Sequence, residues 1–201
     1  MKRTIIFGLA FFLATVFISA SAAAADAIID LNINTKDVEG RIDIKVNPME
    51  TPLSIGGGFL FSDDKTKYWI ANLNAAVKDE VFTPALSLGL GLKGVFGRTD
   101  FVTVERDTAA LSFQFLGDYD FRKTSINWPI SIYASVAYAP EILSFSDTDR
   151  YFDFYTGVSF HINYFAAVYA GYRDIEIKYK AGGTENKLTD DAFFLGIRIS
   201  F

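Results

Sequence analysis

The chain has 201 residues, no cysteine and a formal net charge of −5, and half of its residues are apolar, including 20 Phe and 10 Tyr. This apolar content excludes an intrinsically disordered chain, and the lack of cysteine excludes disulfide scaffolds, zinc fingers and thiol chemistry. The acidic balance argues against nucleic acid as a partner, because phosphate contacts require a basic face. The length fits one domain.

Residues 1–25 have the layout of a secretory signal peptide. Lys2 and Arg3 give a positive start, a long apolar run follows, and small residues lead to a predicted cleavage after Ala25. The apolar run is too short to span a hydrocarbon core of about 30 Å as a helix, so we expect removal rather than anchoring. The mature chain, residues 26–201, is predicted to form one exported domain.

The mature chain alternates apolar and polar side chains over long segments, which is the period of β-strands. In segment 86–96, for example, leucines and Phe96 share one face, while serine, glycines and Lys93 share the other. A soluble β-sandwich would alternate as well. The length of the segments, and the glycines and charges opposite the Phe and Leu face, favour a transmembrane barrel with its apolar face toward lipid.

We predict an all-β fold, an up-and-down antiparallel transmembrane barrel of about ten strands. An even number is expected of a bacterial single-chain barrel, and eight is the alternative if residues 27–47 do not join the barrel. The predicted strands lie near 28–35, 40–47, 52–62, 67–78, 84–96, 106–120, 128–140, 151–162, 165–179 and 188–201.

Both termini of such a barrel should lie in the periplasm, so its connections alternate between two sides. Periplasmic turns, several of them beside prolines, are expected near 47–52, 79–83, 121–127 and 163–164. Outer loops, predicted to be polar and mostly longer, are expected near 62–65, 97–105, 141–150 and 181–187. Aromatic girdles at the two membrane surfaces are expected from Trp69, Trp128, Tyr68, Tyr119, Tyr151 and Tyr164.

Segment 165–179 does not keep one apolar face throughout. If Arg173 points inward, Asp174 and Glu176 point outward. Two explanations are open at this stage. The two acids could lie above the lipid, or a β-bulge could switch the faces.

Three short motifs resemble the YfaZ family of bacterial outer-membrane proteins. They are Tyr138-Ala139-Pro140-Glu141-Ile142-Leu143, Ala170-Gly171-Tyr172-Arg173 and Gly196-Ile197-Arg198-Ile199-Ser200-Phe201. In order and spacing the similarity is good over about 126–201 and loose before that. The resemblance implies a barrel in the outer membrane of a Gram-negative cell, and it implies no established activity.

The last ten residues also resemble the C-terminal assembly signal of outer-membrane barrels. Gly196, Ile199 and Phe201 occupy its glycine and hydrophobic positions, and Phe194 stands where a polar residue is usual. An ordinary last strand is the alternative. The signal implies the barrel-assembly machinery as a partner, and we also expect contacts with outer-membrane lipid and lipopolysaccharide and a monomeric state.

Any catalytic role must start from His161, the only histidine. Small barrel enzymes such as a lipid A deacylase resemble this chain in architecture only, and Asn163 stands where that enzyme has its nucleophilic serine. Ser159 shares the inward face with His161, but no orienting acid is evident. We predict no catalytic residue and no cofactor. A lipid-modifying barrel enzyme stays the alternative, decided by whether His161 has a serine and an acid within reach.

Two other features have structural explanations that we prefer. Asp63, Asp64, Asp147 and Asp149 lie on predicted outer loops without a full set of metal ligands, so we predict no metal site, although divalent ions could bridge them to lipopolysaccharide phosphates. The run Gly56-Gly57-Gly58 precedes no predicted helix, so it indicates a close approach of backbones and not a nucleotide site.

The inward faces are the remaining candidate surface. Their polar residues are Arg41, Asp43, Lys45, Lys93, Asp118, Asp120, Asp153, His161 and Arg198. Mixed charges can pair and close a lumen, while inward Gly and Ser leave space. About eight strands are just filled by side chains and about 16–18 enclose a channel. The sequence therefore predicts a structural or surface role or a narrow pore for ions or small solutes, with a soluble exported β-protein as a further alternative.

Overall fold

The computed structural model describes residues 26–46, 52–64, 66–102, 104–180 and 187–201. The predicted signal peptide lies outside these residues. The strands in chain order are β1 (Asp26–Ile33), β2 (Asp37–Val46), β3 (Leu53–Asp63), β4 (Lys67–Val81), β5 (Thr83–Asp100), β6 (Glu105–Asp120), β7 (Ile130–Ala139), β8 (Ser144–Ser146), β9 (Thr148–His161), β10 (Ala166–Tyr179) and β11 (Lys187–Ser200). Short 3₁₀ helices span Phe121–Lys123 and Glu141–Leu143. Within the described residues, the helices are all too short or too polar to span a membrane.

Ten of these strands close into one antiparallel barrel. Neighbouring strands pair in chain order, and β1 closes the barrel by pairing with β11. The short β8 pairs only with the outer part of β6, and β7 pairs directly with β9. The prediction of ten strands is confirmed. Residues 27–47, which left eight strands as an alternative, contain most of β1 and β2.

The strands reach further toward one rim than the sequence indicated. We call the end that holds both termini the periplasmic end, because an exported barrel inserts from that side, and the opposite end the outer end. The predicted outer loop 97–105 is reduced to 101–104, because β5 and β6 continue as a paired ladder to Asp100 and Glu105. The expectation of mostly longer outer loops is wrong among the described connections. Of the other predicted connections, 47–51 and 181–186 lie outside the described residues.

The outward face of the barrel is apolar. Phe193 is 81% exposed, and Leu90, Leu92 and Leu195 are also largely exposed on it. No second layer of the described chain covers these side chains, because the sheet closes on itself. Such a belt faces lipid in a transmembrane barrel. The chain is therefore an outer-membrane barrel, and the soluble alternative, in which these faces pack on each other, is wrong.

The outer part of β10 keeps its faces without a bulge. The ladder with β9 and β11 runs without a shift from residue 167 to residue 178. Arg173, Ile175 and Ile177 are buried inside, so Asp174 and Glu176 point outward near the outer end. The first of the two explanations holds. The isoleucines break the expected pattern because they fill the lumen instead of facing lipid.

Two of the predicted girdle residues are placed differently. Tyr68 and Tyr151 point into the lumen and are only 5% and 1% exposed, so their assignment to the girdle is wrong. Each lies beside an outward residue that takes the membrane-facing position. Trp69 and Trp128 are well exposed toward the outer and periplasmic ends, as an aromatic girdle requires.

Inward aromatic rings pack over glycines of the neighbouring strand. The pairs are Tyr133 with Gly157, Phe194 with Gly171 and Tyr169 with Gly196. A Cβ atom at any of these glycines would collide with the ring. The glycines in two of the YfaZ-like motifs, Gly171 and Gly196, are therefore seats for aromatic side chains inside the barrel.

Candidate functional site

The outer half of the lumen is filled by apolar side chains, which we call the plug. It comprises the buried residues Leu60, Tyr68, Ile70, Val95, Ala110, Ala137, Ala139, Tyr151, Ile175, Ile177, Tyr179 and Leu188. They are inward residues from the outer parts of eight strands. Period-two alternation places one side chain in every two on this inner face, so the plug is a packed core built from the wall itself.

Hydrogen bonds close the plug near the outer rim. The Tyr179 hydroxyl lies 2.7 Å from Thr99 Oγ1 and 2.9 Å from Thr108 Oγ1. All three side chains are buried. Phe101 packs edge-on against the Tyr179 ring from the connection above. The polar atoms of these residues are therefore satisfied within the plug and do not line a water path.

A buried arginine cluster crosses the lumen beside the plug. Arg173 is 1% exposed, and its Nη2 lies 2.8 Å from Asp37 Oδ2 and 2.7 Å from Asp190 Oδ2. Its Nη1 lies 3.3 Å from Glu39 Oε2, which also accepts a hydrogen bond from Asn32 Nδ2 at 2.9 Å. We call Arg173 and its three carboxylates the seal, because they tie β2, β10 and β11 together across the interior.

The periplasmic half of the lumen holds a polar cavity of about 620 Å³. Its mouth reaches the strand ends, where Glu80, Lys123 and Tyr164 line it, and its inner end reaches Arg173. All the predicted lumen residues line this one cavity: Arg41, Asp43, Lys45, Lys93, Asp118, Asp120, Asp153, His161 and Arg198. The cavity is thus a vestibule that opens toward the periplasm and ends at the seal.

Most of the buried charges in the vestibule are paired. Lys93 forms an ion pair with Asp153, from two strands that do not neighbour each other. Arg198 makes a bidentate contact with Asp30, with Nε at 2.7 Å and Nη2 at 2.9 Å from the two carboxylate oxygens. Arg41 donates to the Tyr155 hydroxyl and stacks on its ring. Pairing of this kind offsets the cost of placing charges in a narrow interior.

The sequence analysis missed the four residues of the seal. Asp37 and Glu39 share the inward face with Arg41, so extending the alternation of β2 by two steps would have found them. Asp190 is likewise two steps before the region that was analysed on β11. Arg173 was placed inward, but nothing in the sequence identified its partners.

His161 has a serine within reach, and it is not the one expected. His161 Nε2 lies 3.0 Å from Ser131 Oγ on β7, while Ser159 shares the lumen face without this contact. Asp120 stands opposite Ser131 in the ladder, but both of its oxygens are engaged by Arg122 at 2.7–3.2 Å. These hydrogen bonds raise the pKa of Arg122. An imidazole can take a proton from a serine, but the acid that would orient it is committed to a guanidinium.

The glycine run in β3 serves as a floor for polar side chains, so the expected close approach is confirmed. A Cβ at Gly56 would collide with the Asp43 and Asn74 side chains, and one at Gly58 would crowd Asn72. These glycines let polar groups of β2 and β4 lie flat against the vestibule wall.

The outer acidic residues are engaged individually. Asp147 accepts a hydrogen bond from the backbone N–H of Asp107 at 3.0 Å, Asp149 lies 3.6 Å from Arg150, and Asp63 lies 3.0 Å from Lys67. Within the part of the chain that the structure describes, no group of three or more His, Asp or Glu side chains is placed to hold a metal ion.

Comparisons with known proteins agree with this architecture. A model of the family described as YfaZ precursor matches residues 5–201. Solved structures with similar folds include Neisserial surface protein A, at 15% identity and a TM-score of 0.38, covering 88% of this chain and 94% of that one. They also include the NanC porin, at 9% identity and a TM-score of 0.49, covering 89% of this chain and 100% of that one. The KdgM porin is 11% identical with a TM-score of 0.43, covering 88% and 99%. No curated protein matches significantly.

Proposed function

The chain belongs to the YfaZ family of outer-membrane β-barrels, and we propose that it works as a sealed barrel with a structural or surface role, not as an open pore or an enzyme. One observation supports this most directly: Arg173, with three carboxylates around it, lies across the lumen where the vestibule meets the apolar plug. An ion or solute that entered from the periplasm would meet this seal first.

The energetics of the seal favour a closed state. Separating a buried ion pair by withdrawing one partner typically costs about 3–5 kcal/mol. A conducting state that required this separation would be populated well below about 1% without a ligand that stabilised it. Packed apolar side chains on the outer side of the seal add a second barrier, because they leave no polar path for a hydrated ion.

The narrow pore is the competing function, and the vestibule is the observation that favours it. Its charged wall could select ions if the plug and the seal moved aside. In the closed barrel, however, Lys93 and Arg198 are paired with carboxylates and are not free to attract a passing anion. The cavity is therefore better suited to holding water or a small polar solute from the periplasm than to passing it on.

Conductance of the purified mature barrel in a planar lipid bilayer tests the proposal. We expect a folded, heat-modifiable protein that gives no discrete conductance steps. Steps in the unaltered protein that shrink or change ion preference in Lys93→Ala or Arg198→Ala would show a pore lined by those residues. Arg98→Ala is the matched control, because Arg98 is a cation on the outside of the wall, paired with Asp107 at 2.8 Å. An effect of equal size there would point to the surface and not to the lumen.

A further inference from the structure

We propose that Arg150, Lys178 and Lys187 form a binding site for the phosphate groups of an outer-leaflet glycolipid of the lipopolysaccharide type. The three residues lie side by side across β9, β10 and β11, because Lys178 is the ladder partner of both Arg150 and Lys187. Neighbouring strands are about 4.8 Å apart, so three cations fall within about 10 Å. We call this set the cation row.

The cation row is on the outside of the barrel. The residues next to its members in sequence, Tyr151, Ile177 and Leu188, are buried in the plug. Because side chains alternate along a strand, the row must point away from the lumen. Its three side chains are about half exposed.

The cation row also lies at the right height for a lipid headgroup. On β9 the outward residues just below Arg150 are Phe152 and Phe154, which continue the apolar belt almost up to the row. Long cationic side chains at such a boundary keep their stems against the apolar surface and their charges in the polar layer. Phosphates of outer-leaflet lipids occupy that layer, and each Lys or Arg near an anionic surface strengthens attraction to it.

A carboxylate arranges the two lysines without closing the site. Glu176 lies 2.9 Å from Lys187 Nζ and 3.7 Å from Lys178 Nζ, so one anion is shared by two cations. Asp174 and Asp191 are ladder partners one step further toward the membrane. Their repulsion of anions leaves the outer side of the row as the place where a phosphate can approach the cations.

The opposite side of the outer rim has the reverse charge pattern. There the outward ladder row contains Asp63, Lys67, Asp100 and Glu105 on β3 to β6. Three acids flank one lysine, which is already paired with Asp63 at 3.0 Å. A phosphate would be repelled on that side. The barrel therefore offers the glycolipid one binding side, and Lys67 provides a matched control for a cation at the same height.

Native mass spectrometry of the intact mature barrel in detergent, titrated with diphosphorylated lipid A, tests the site. We expect a bound lipid whose apparent affinity falls by about tenfold or more in the triple variant Arg150→Gln, Lys178→Gln, Lys187→Gln. Lys67→Gln should leave the affinity unchanged, and Asp191→Asn should leave it unchanged or raise it. Lipid A without phosphates should bind the unaltered barrel as weakly as the intact lipid binds the triple variant.

Further arms distinguish the outcomes. Inorganic phosphate at millimolar concentration should not displace the lipid, and displacement would show a site for free phosphate instead. Equal affinity of the triple variant and the unaltered barrel, or an equal loss in Lys67→Gln, would overturn the proposal. If the triple variant lacks heat-modifiable migration, the single variant Lys178→Gln decides, with an expected loss of about threefold or more.

Discussion

The two halves of the lumen are enclosed by the same ten strands but are filled in opposite ways. The outer half is a packed core that includes Val95, Ile177 and Tyr179, with almost no exposure. The periplasmic half holds a cavity of about 620 Å³ among paired charges. Strand number sets how much interior a barrel has. The contrast teaches that the inward side chains decide whether that interior is a core or a vestibule.

The boundary between the halves is where both kinds of filling meet. Arg173 touches carboxylates on one side and lies beside Ile175 of the plug on the other. An apolar core excludes water, so a charge at its edge is desolvated and depends on its partners. The seal should therefore be the most sensitive point of the molecule, followed by the plug, with smaller effects at the vestibule wall.

The strongest way to break the contrast is Arg173→Ala. It leaves Asp37, Glu39 and Asp190 close together in a buried site without their shared cation. We expect the free energy of unfolding to fall by about 3–5 kcal/mol, measured by urea titration of the barrel in lipid vesicles.

Arg122→Ala is the matched control for this measurement. Arg122 also binds a carboxylate through two nitrogens, but its side chain is 37% exposed. We expect a loss of about 1 kcal/mol or less there. Equal losses in the two variants would show that the seal is not a buried constraint.

The plug itself is tested by Ile177→Ala. Removing three carbons from a fully buried position should cost about 2–5 kcal/mol, because the surrounding side chains cannot fill the space completely. Ser135→Ala, on the vestibule wall, removes one hydrogen bond from Gln114 at 3.2 Å and should cost about 1 kcal/mol. Unfolding measurements that rank these two variants the other way would contradict a core in the outer half.

Much of the wall could be predicted from the sequence, because alternation directly reports which side chains share a face. The inward assignment of Lys93, Asp153 and Arg198 needed only the period of two. The misplacement of Tyr68 and Tyr151 has a clear cause. Their position near strand ends was given more weight than the alternation, which places Tyr151 on the same face as Asp153.

The contacts across the lumen could not be predicted in the same way. Lys93 and Asp153 are 60 residues apart, and the partners of Arg173 come from two other strands. Which inward residues meet depends on the stagger between strands as the sheet closes, and a single sequence does not report this. The pairing of His161 with Ser131 instead of Ser159 depends on the same stagger.

The ring seats sharpen the comparison with a smaller effect. Gly171→Ala places a methyl group where the Phe194 ring lies, inside the boundary region between the two halves. The ring must shift, and we expect a loss of about 1–3 kcal/mol in the free energy of unfolding. Gly94→Ala is the matched control, because a Cβ there would meet the Phe96 ring at an ordinary 3.7 Å. That variant should change stability by about 0.5 kcal/mol or less. A loss at Gly94 as large as that at Gly171 would mean that backbone freedom, and not the seated ring, explains the glycine of this motif.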